Sequence, residues 1–342
     1  MSLWRRRELL LGALTAVATL SAAAQAASQD RPAPLKRGAR IAALAPGTWM
    51  ERGDPLLEQL RWRCRQQGWV LLTPPELSGQ WRWFSGTDQQ RAAALRQAWL
   101  DPLIDALFLV GAGWGSARVL EQGWTIPPRP RWCVGFSDCS ALLLAQLVAG
   151  SSGGIHGWFG GSSGQWQRLV ALLTGASVQP LRGVGMRPGL AEGPLVVSNL
   201  TVATSLIGTP WLPSLKGTVL VLEDTGEAPY RIDRQLTQWR AAGLLDGGRG
   251  IGLGRFSWAE DDVLPGDFSM AQILEERLGS LGLPVVTDLP VGHGRPNLAL
   301  PLGVSARLDG RTGELSLMRA GLTAQKKGGH RPPDERSTTQ LS

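Results

Sequence analysis

The feature that most constrains the fold is a strand, a sharp turn and a helix in direct succession around Ser137. A short apolar run at 132–136 enters the sequence Gly-Phe-Ser-Asp, and a helix-like segment follows at 140–148. This is the layout of a nucleophile elbow, which lifts a serine hydroxyl out of a sheet beside the free N–H groups of a helix. Cys139 stands where the usual second glycine of G-x-S-x-G would be. The alternative is that Ser137 or Asp138 simply caps the helix.

Strand-like and helix-like segments alternate before this turn. Three short apolar runs are separated by two segments with helical spacing, in the order 40–44, 54–67, 69–72, 88–99 and 105–110. Such alternation predicts a parallel sheet with helices on both faces. Functional groups in such sheets gather at the carboxyl ends of the strands, where the glycine turn 111–115 and the Ser137 turn both lie.

At 342 residues the chain is long enough for two domains. In its second half, strands are expected at 219–222 and 250–256, a helix at 231–242 and a hairpin at 304–318. We therefore predict an α/β fold, in which a parallel-sheet nucleophile domain precedes a second α/β domain with β-rich parts. The active site is expected in the cleft between them.

The expected divisions of the chain are a signal peptide at 1–26, the N-terminal nucleophile domain at 36–165, a linker region at 166–190, the C-terminal domain carrying Glu and His at 191–320, and a disordered tail at 321–342.

The first 26 residues have the three parts of an export signal. Arginines at 5–7 precede an apolar stretch that ends near Leu20, and the small-residue sequence Ala-Gln-Ala closes the segment at 24–26. The paired arginines also fit a twin-arginine signal. Since the apolar stretch is too short to span a membrane, we expect export to the periplasm without a stable membrane span after signal removal. The alternatives are an uncleaved anchor, or a cytoplasmic protein if the signal is not used.

Composition narrows the class of protein. Apolar residues make up 43% of the chain and charged residues 18%, which is typical of a globular protein. The formal net charge is +7, and between the expected signal and the expected tail the positive charges form no basic run, so nucleic-acid binding gains no support. Cys64, Cys133 and Cys139 have no metal-site spacing, and we expect Cys133 and Cys139 to be small buried residues rather than a disulfide pair or ligands. No metal and no cofactor is predicted.

A serine attacks a carbonyl only when a base removes its proton, and near neutral pH that base is usually a histidine. The chain has three histidines, and His330 falls in the expected disordered tail. His293 follows a strand and stands between two glycines, where its side chain either faces a cleft or is merely solvated. His156 lies in a glycine-rich segment, where it either supports the site or packs at the domain junction.

A third group must orient the imidazole of such a histidine. Glu223 and Asp224 lie at the carboxyl end of the strongest strand in the second half of the chain. Glu227 and Asp233 are the alternatives, although the position of Asp233 is typical of an ion pair on a helix face. Because carboxylates at strand ends are common, the residues alone leave this choice open.

The glycine turn 111–115 reads Gly-Ala-Gly-Trp-Gly and has two interpretations. Its G-x-G could suggest a nucleotide phosphate site, but no G-x-G-x-x-G enters the helix and no Walker lysine is present. We favour a turn whose backbone N–H groups face the oxygen at Ser137. The expected oxyanion hole is formed by the N–H groups of Gly113 and Asp138.

Several ordered blocks together resemble the LD-carboxypeptidase family of serine peptidases, which includes murein tetrapeptide carboxypeptidases and microcin C immunity peptidases. The resemblance covers about residues 40–303 and rests on Gly86-Thr87-Asp88 with Arg91-Ala92, Gly113-Trp114-Gly115-Ser116 with Arg118, Gly135-Phe136-Ser137-Asp138, Asn199-Leu200, Gly208-Thr209-Pro210, Leu222-Glu223-Asp224, Pro229 to Arg234, and Gly292-His293 through to Gly303. The order and spacing of the blocks are far more specific than any single block.

The resemblance implies roles for three residues and an arrangement of domains. Ser137 matches the family's nucleophile, Glu223 its acidic residue and His293 its base. The implied nucleophile domain is followed by a second domain that supplies the glutamate and the histidine. The resemblance also implies a homodimer, so a homodimer is expected.

We expect Trp114, Asn199 and His156 to contact substrate. The chain departs from the family pattern in this region. The family commonly has Arg-Gly-Gly-Tyr-Gly before the serine strand, where this chain has the turn 111–115, and Gly-Gly-Asn where this chain has Val-Ser-Asn at 197–199. These differences bear on substrate binding more than on the chemistry.

The expected function is that of a serine-type carboxypeptidase acting through a Ser-Glu-His triad. It would hydrolyse an L,D-peptide bond near the C-terminus of murein-type peptides and release D-alanine. One alternative keeps the triad but acts on another peptide conjugate or an ester, as a microcin C-like immunity peptidase does. The other is a non-catalytic protein that binds the cell envelope.

Overall fold

The computed structural model describes residues 31–259, 262–263 and 265–318. The signal peptide expected at 1–26 and the tail expected at 321–342 lie outside these residues. The helices within them are α1 Pro55–Gln67, α2 Asp88–Leu100, α3 Ser116–Leu120, α4 Ser140–Val148, α5 Ser163–Leu173, α6 Leu200–Ser205, α7 Pro229–Ala241 and α8 Met270–Leu278. The strands are β1 Arg40–Leu44, β2 Val70–Leu72, β3 Ala106–Leu109, β4 Trp132–Gly135, β5 Gly154–His156, β6 Leu181–Arg182, β7 Val184–Arg187, β8 Leu190–Asn199, β9 Val219–Thr225, β10 Gly250–Ser257, β11 Val285–Thr287, β12 Leu300–Pro301, β13 Ser305–Asp309 and β14 Glu314–Leu317.

The first sheet has the strand order β12-β5-β4-β3-β1-β2. Its five strands from the first half of the chain pair in parallel, which confirms the sheet predicted from the alternating pattern. The carboxyl ends of β1, β3 and β4 therefore lie at one edge, and the turns after β3 and β4 meet there.

Helices cover both faces of this sheet, also as predicted. Successive side chains of a strand point to opposite faces. Accordingly, Ile41 of β1 belongs to a buried cluster with residues of α1 and α5, and Ala42 belongs to another with residues of α2, α3 and α4. The strands are apolar on both sides for this reason, and the turns at the edge of the sheet follow buried strands.

The second sheet has the order β6-β14-β13-β8-β9-β10-β11-β7. The central strands β8, β9, β10 and β11 pair in parallel, and the flanking strands pair antiparallel. The predicted hairpin near residue 310 is confirmed, since Asp309 of β13 pairs with Glu314 of β14. The result is the expected second α/β half with β-rich parts.

The region 166–190, expected as a linker of low order, contains most of α5 and the strands β6 and β7. Helix α5 begins with a capping box between Ser162 and Gln165, and its apolar stripe is buried through Leu169 and Leu173. The two strands pair with β14 and β11. Their short, partly exposed sequences carry little signal of their own, because partners from later in the chain hold them in place.

The chain returns to the first sheet after building most of the second. Strand β12 pairs antiparallel with β5, so that Leu300 lies opposite His156. Just beyond it, the Leu302 N–H donates to the Gly154 carbonyl at 2.9 Å, and the Gly303 N–H donates to the Leu195 carbonyl at 2.8 Å. Consecutive residues are thus bonded to different halves of the molecule.

All three cysteines are buried and free, which confirms the prediction that Cys133 and Cys139 are small buried residues. Burial raises the pKa of the Cys64 thiol to about 12. Of the helices described, none has the length and apolar character required to cross a bilayer.

Candidate active site

Ser137 stands on a sharp turn directly after strand β4. Its φ is +57°, a left-handed backbone conformation that only three non-glycine residues adopt in the described part of the chain. A single 3-10 turn at 137–139 then leads into α4. Non-glycine residues are held in this conformation at a cost, and such positions cluster at functional sites. The turn has the strand-to-helix geometry of a nucleophile elbow.

His293 connects this serine to a carboxylate. The His293 Nε2 atom lies 3.1 Å from the Ser137 Oγ atom. On the other side of the ring, His293 Nδ1 lies 2.8 Å from Oε2 of Glu223, and the His293 backbone N–H donates to the same oxygen at 3.2 Å. The imidazole is therefore held at both nitrogens, and its side chain remains 23% exposed.

Glu223 lies near the carboxyl end of β9 and is completely buried. Burial raises the pKa of its carboxyl above the ordinary value, and the hydrogen bond from His293 opposes that shift. The ionised form of Glu223 consequently depends on the donors that reach it.

The loop that carries His293 is shaped to close over Glu223. Gly292 has a φ of +101°, and a Cβ atom at this position would lie 2.5 Å from the Glu223 Oε2 atom. Only glycine fits this close approach. The Gly292 N–H donates to Oδ1 of Asn297 at 3.1 Å, and the Asn297 carbonyl accepts from Gln165 of α5 at 3.1 Å. The His293 loop is thereby fixed to the first half of the molecule.

The glycine turn 111–115 is tied to the Ser137 turn through Asp138. The Asp138 carboxylate is buried and accepts a hydrogen bond from the Ser116 N–H at 2.9 Å. Burial raises the pKa of this carboxyl, and the hydrogen bonds from Ser116 oppose the shift. Gly113 has a φ of +85°, and a Cβ atom there would lie 2.6 Å from the Gly47 carbonyl oxygen. The turn therefore cannot accept a side chain at Gly113 without moving.

Two backbone N–H groups near the serine suit an anion. The described residues provide no hydrogen-bond acceptor for the exposed Gly113 N–H. Asp138 lies at the start of the 3-10 turn, where N–H groups have no acceptor within their own helix. Donors of this kind can stabilise the negative charge that develops during acyl transfer.

Aromatic side chains border the glycine turn. Trp114 is 55% exposed and packs edge-on against Phe84, with 4.6 Å between the ring centroids. Phe84 is buried beneath the Arg91 guanidinium, which lies 4.2 Å from its centroid. Trp83 is 57% exposed, and its carbonyl accepts from Thr48 Oγ1 at 3.2 Å. These rings offer an exposed apolar surface beside the turn.

Arg91 supports the site, a role that was not predicted for it. Its buried guanidinium donates to the carbonyl of Gly115 at 2.9 Å and to the carbonyl of Pro46, and it pairs with Asp88. It thus joins the turn after β1 to the turn after β3. The only signal in the sequence was its position in the block that begins at Gly86.

Asn199 does not face an open cleft. It is 4% exposed, its Oδ1 atom accepts from the Val202 N–H at the start of α6, and its Nδ2 atom donates to Asp224 at 2.9 Å. Both ends of the amide are engaged internally. The geometry therefore gives no support to the expected contact between Asn199 and substrate.

His156 is likewise placed away from solvent. It is completely buried, and its ring packs against Phe136 with 5.3 Å between centroids. The expected contact with substrate has no support from this position. Instead, its Nε2 atom lies 3.8 Å from the Glu223 Oε1 atom.

Of the four candidate carboxylates, Glu223 alone contacts a histidine in the described structure. The other three have partners elsewhere: Asp224 accepts from the Thr201 N–H, Glu227 pairs with Arg231, and Asp233 pairs with Arg277. No cluster of three or more His, Cys, Asp or Glu side chains suited to a metal ion occurs among the residues described. A serine, a histidine and a buried carboxylate in one chain of hydrogen bonds is an arrangement capable of acyl transfer.

Comparison with known proteins agrees with this arrangement. The sequence profile of the LD-carboxypeptidase N-terminal domain matches residues 41–157, and that of the C-terminal domain matches residues 192–308. A putative carboxypeptidase of Synechocystis sp. is 40% identical over 84% of this chain and 97% of its own length. The murein tetrapeptide carboxypeptidase of Pseudomonas aeruginosa is 31% identical over 79% of this chain and 93% of its own length.

A solved structure has the same fold. The crystal structure of muramoyltetrapeptide carboxypeptidase from Oxalobacter formigenes superimposes with a TM-score of 0.72 at 25% identity, covering 81% of this chain and 97% of that one. Both halves of the chain thus match the same group of proteins. The chain belongs to the LD-carboxypeptidase family, and it is a serine-type carboxypeptidase.

Proposed function

We propose that this carboxypeptidase hydrolyses an L,D-peptide bond near the C-terminus of murein-type peptides and releases D-alanine. The observation that carries the proposal is the continuous contact from the Ser137 hydroxyl through His293 to the buried Glu223 carboxylate. The names of the Pseudomonas and Oxalobacter relatives support the substrate class.

In the proposed reaction, His293 Nε2 accepts the proton of Ser137 as Oγ attacks the carbonyl carbon of the scissile bond. The N–H groups of Gly113 and Asp138 stabilise the resulting oxyanion. His293 then gives the proton to the departing nitrogen of D-alanine as the C–N bond breaks, which leaves an acyl-enzyme. A water molecule attacks the ester, His293 accepts its proton, and the proton returns to the Ser137 oxygen as the shortened peptide leaves.

Glu223 would fix the tautomer of the histidine. With its proton on Nδ1 and directed to Glu223, His293 presents an unprotonated Nε2 to the serine. The same carboxylate would stabilise the imidazolium that forms when Nε2 accepts the proton. Trp114, exposed beside the glycine turn, would contact the substrate.

Three further parts of the proposal come from the sequence. We infer that residues 1–26 direct export to the periplasm, that the chain forms a homodimer, and that the two domains are 36–165 and 191–320, with 166–190 folded onto them rather than a free linker. Intact mass of protein recovered from cells tests the cleavage, and light scattering during gel filtration tests the dimer.

The decisive assay uses a defined tetrapeptide whose last bond joins an L centre to D-alanine, with products identified by mass spectrometry. The matched control peptide ends in L-alanine. We expect release of D-alanine from the first peptide only, and we expect Ser137→Ala to keep its fold while losing about 10³- to 10⁶-fold in turnover. Wild-type-like turnover by this variant would remove the serine from the mechanism.

A second candidate function keeps the same residues but changes the substrate to an amide-linked peptide conjugate or an ester. The altered turn 111–115, with its added methyl group at Ala112 and exposed ring at Trp114, favours it. An aminoacyl-sulfamoyl conjugate assayed beside the tetrapeptide separates the two candidates. Inactivity on both substrates, with no labelling of Ser137 by an active-site phosphonate and retained murein binding, would indicate the non-catalytic alternative.

A further inference from the structure

His156 lies beneath the candidate site at a junction between strands. It is the last residue of β5, and the neighbouring strands of β5 are β4 and β12. The first of these leads to Ser137, and the second follows the His293 loop. His156 is paired in register with Gly135 on one side and with Leu300 on the other. The His156 ring therefore lies where the two halves of the site meet.

Three polar atoms at this position have no hydrogen-bond partner among the described residues. They are both ring nitrogens of His156 and the Oε1 atom of Glu223. All lie in fully buried side chains, and the separation between His156 Nε2 and Glu223 Oε1 is 3.8 Å. Leaving a buried donor or acceptor unpaired costs about 1–3 kcal/mol, and more for a charged group. A closure of less than about 1 Å would satisfy the donor and the acceptor together.

We propose that His156 is a positioning residue that donates its Nε2–H to Oε1 of Glu223 and so fixes the carboxylate for His293. The inference rests on the catalytic roles proposed above for Ser137, Glu223 and His293. With Oε1 held by His156, the second oxygen Oε2 stays directed at His293 Nδ1, where it is observed. The two histidines thus bind opposite oxygens of one buried carboxylate.

Electrostatics favours this division of roles. Burial, together with the smaller effect of the nearby His293, lowers the pKa of His156 to about 3. His156 consequently stays neutral at physiological pH and supplies a hydrogen bond without a second positive charge. The titratable groups that face it are Glu223 from β9 and His293 from the loop after β11, while Phe136 contributes only an apolar ring. A neutral donor stabilises the ionised form of Glu223 without neutralising it. The carboxylate therefore keeps its full negative charge to stabilise the imidazolium of His293.

The test compares His156→Leu with His156→Gln in the full chain, using kcat/KM as a function of pH. Leucine removes the donor, whereas glutamine keeps an N–H group within reach of the carboxylate. We expect His156→Leu to lower kcat/KM by about 10- to 100-fold, as loss of a hydrogen bond to a charged group implies. We also expect the acidic limb of the pH profile of this variant to move to higher pH, because Glu223 loses a hydrogen-bond donor that favours its ionised form. His156→Gln should keep most of the wild-type kcat/KM and should leave the acidic limb of the pH profile close to its wild-type position.

Gln146→Leu is the matched control for loss of a buried polar side chain. The Gln146 amide donates to the carbonyls of Arg131 and Ser152, away from the site. This variant should lower the melting temperature and leave the pH profile unchanged. A His156→Leu profile with the shape and height of the wild type would overturn the inference, and so would His156→Gln behaving like His156→Leu.

A second measurement needs neither activity nor a core variant. In ¹⁵N-histidine spectra of Ser137→Ala protein, His156 should be neutral and protonated at Nε2 between pH 5 and 8. Protonation at Nδ1 alone would refute the donor role even if the proposed peptidase activity is correct. Conversely, failure of the D-alanine assay leaves this spectroscopic result intact, so the two proposals fail separately.

Discussion

The Nε2 atom of His293 lies 3.1 Å from the Oγ atom of Ser137, although 156 positions separate the two residues along the chain. Ser137 follows a strand of the first sheet, and His293 follows a strand of the second. Neither half of the chain contains the pair by itself. The contact depends on how the two sheets are joined.

The Glu223→Gln variant separates the role of charge from the role of shape. We expect turnover to fall by about 10⁴-fold, because a neutral amide neither fixes the tautomer of His293 nor stabilises its protonated form. Stability should be unchanged or higher, since burial disfavours the charged carboxyl. Steady-state kinetics and thermal unfolding measure the two effects. Glu227→Gln, the same change at a partly exposed position, should behave as the wild type, and an active Glu223→Gln enzyme would contradict the assignment.

The Gly113→Ala variant tests the glycine turn as an oxyanion site. The added Cβ would lie 2.6 Å from the Gly47 carbonyl oxygen, so the turn must shift and misplace its N–H groups. We expect kcat to fall by about 10²- to 10³-fold, the usual cost of losing one oxyanion donor.

Its control is Gly123→Ala, which also replaces a glycine of positive φ, at +73°, but where no atom lies within 4 Å of the new Cβ. This variant should lose about 1 kcal/mol of stability and no turnover. Equal kinetic losses in the two alanine variants would show that backbone strain, and not placement of the turn, is responsible.

The Trp114→Ala variant tests the exposed aromatic surface. Removing the ring takes away substrate contact area without touching Ser137 or His293, so we expect KM to rise by about tenfold with little change in kcat. Trp62→Ala is the matched control, because Trp62 is similarly exposed, at 56%, on helix α1. An unchanged KM for the tetrapeptide would place substrate binding elsewhere.

The stability of the protein should depend on pH through His156. Its pKa is 6.5 when unfolded and about 3 when folded, so between these values the unfolded state binds the additional proton. The stability contributed by the neutral ring is therefore complete above pH 6.5 and is lost as pH falls toward 3, at about 1.4 kcal/mol per pH unit.

Urea unfolding at pH 6.5 and 4.5 measures this dependence. Carboxyls titrate over the same range, and the buried Glu223 and Asp138 oppose the loss because their pKa values are raised. Comparison with His156→Leu isolates the contribution of the histidine. Between pH 6.5 and 4.5, the free energy of unfolding of this variant should fall by about 2–3 kcal/mol less than that of the wild type. Parallel losses in the two proteins would show that His156 is protonated in the folded state.

Local patterns in the sequence were sufficient for the first sheet and for the turn at Ser137. Strand β1 and helix α4 begin and end where the apolar runs predict them, because their residues are buried on one or both faces. The Ser137 turn was also visible, since the change from strand to helix requires a break at that position. The structure brings Ser137, Glu223 and His293 together, and their catalytic roles remain a prediction.

Features that depend on distant partners carried no such signal. Strand β7 and strand β12 are short and are defined only by the strands beside them. Likewise, nothing next to His156 in the sequence indicates that its ring is buried against Glu223, a residue that arrives 67 positions later. Asn199 was expected at the substrate because its block resembles the family, whereas its amide is occupied by a helix start and by Asp224.

The return of the chain to β12 limits how the cleft can move. Moving the two halves apart at this point would break the bond from Leu302 to Gly154 or the bond from Gly303 to Leu195, since adjacent residues are bonded to opposite halves. The two halves are thus tied together just beyond β12, and any relative motion between them has to leave this point in place.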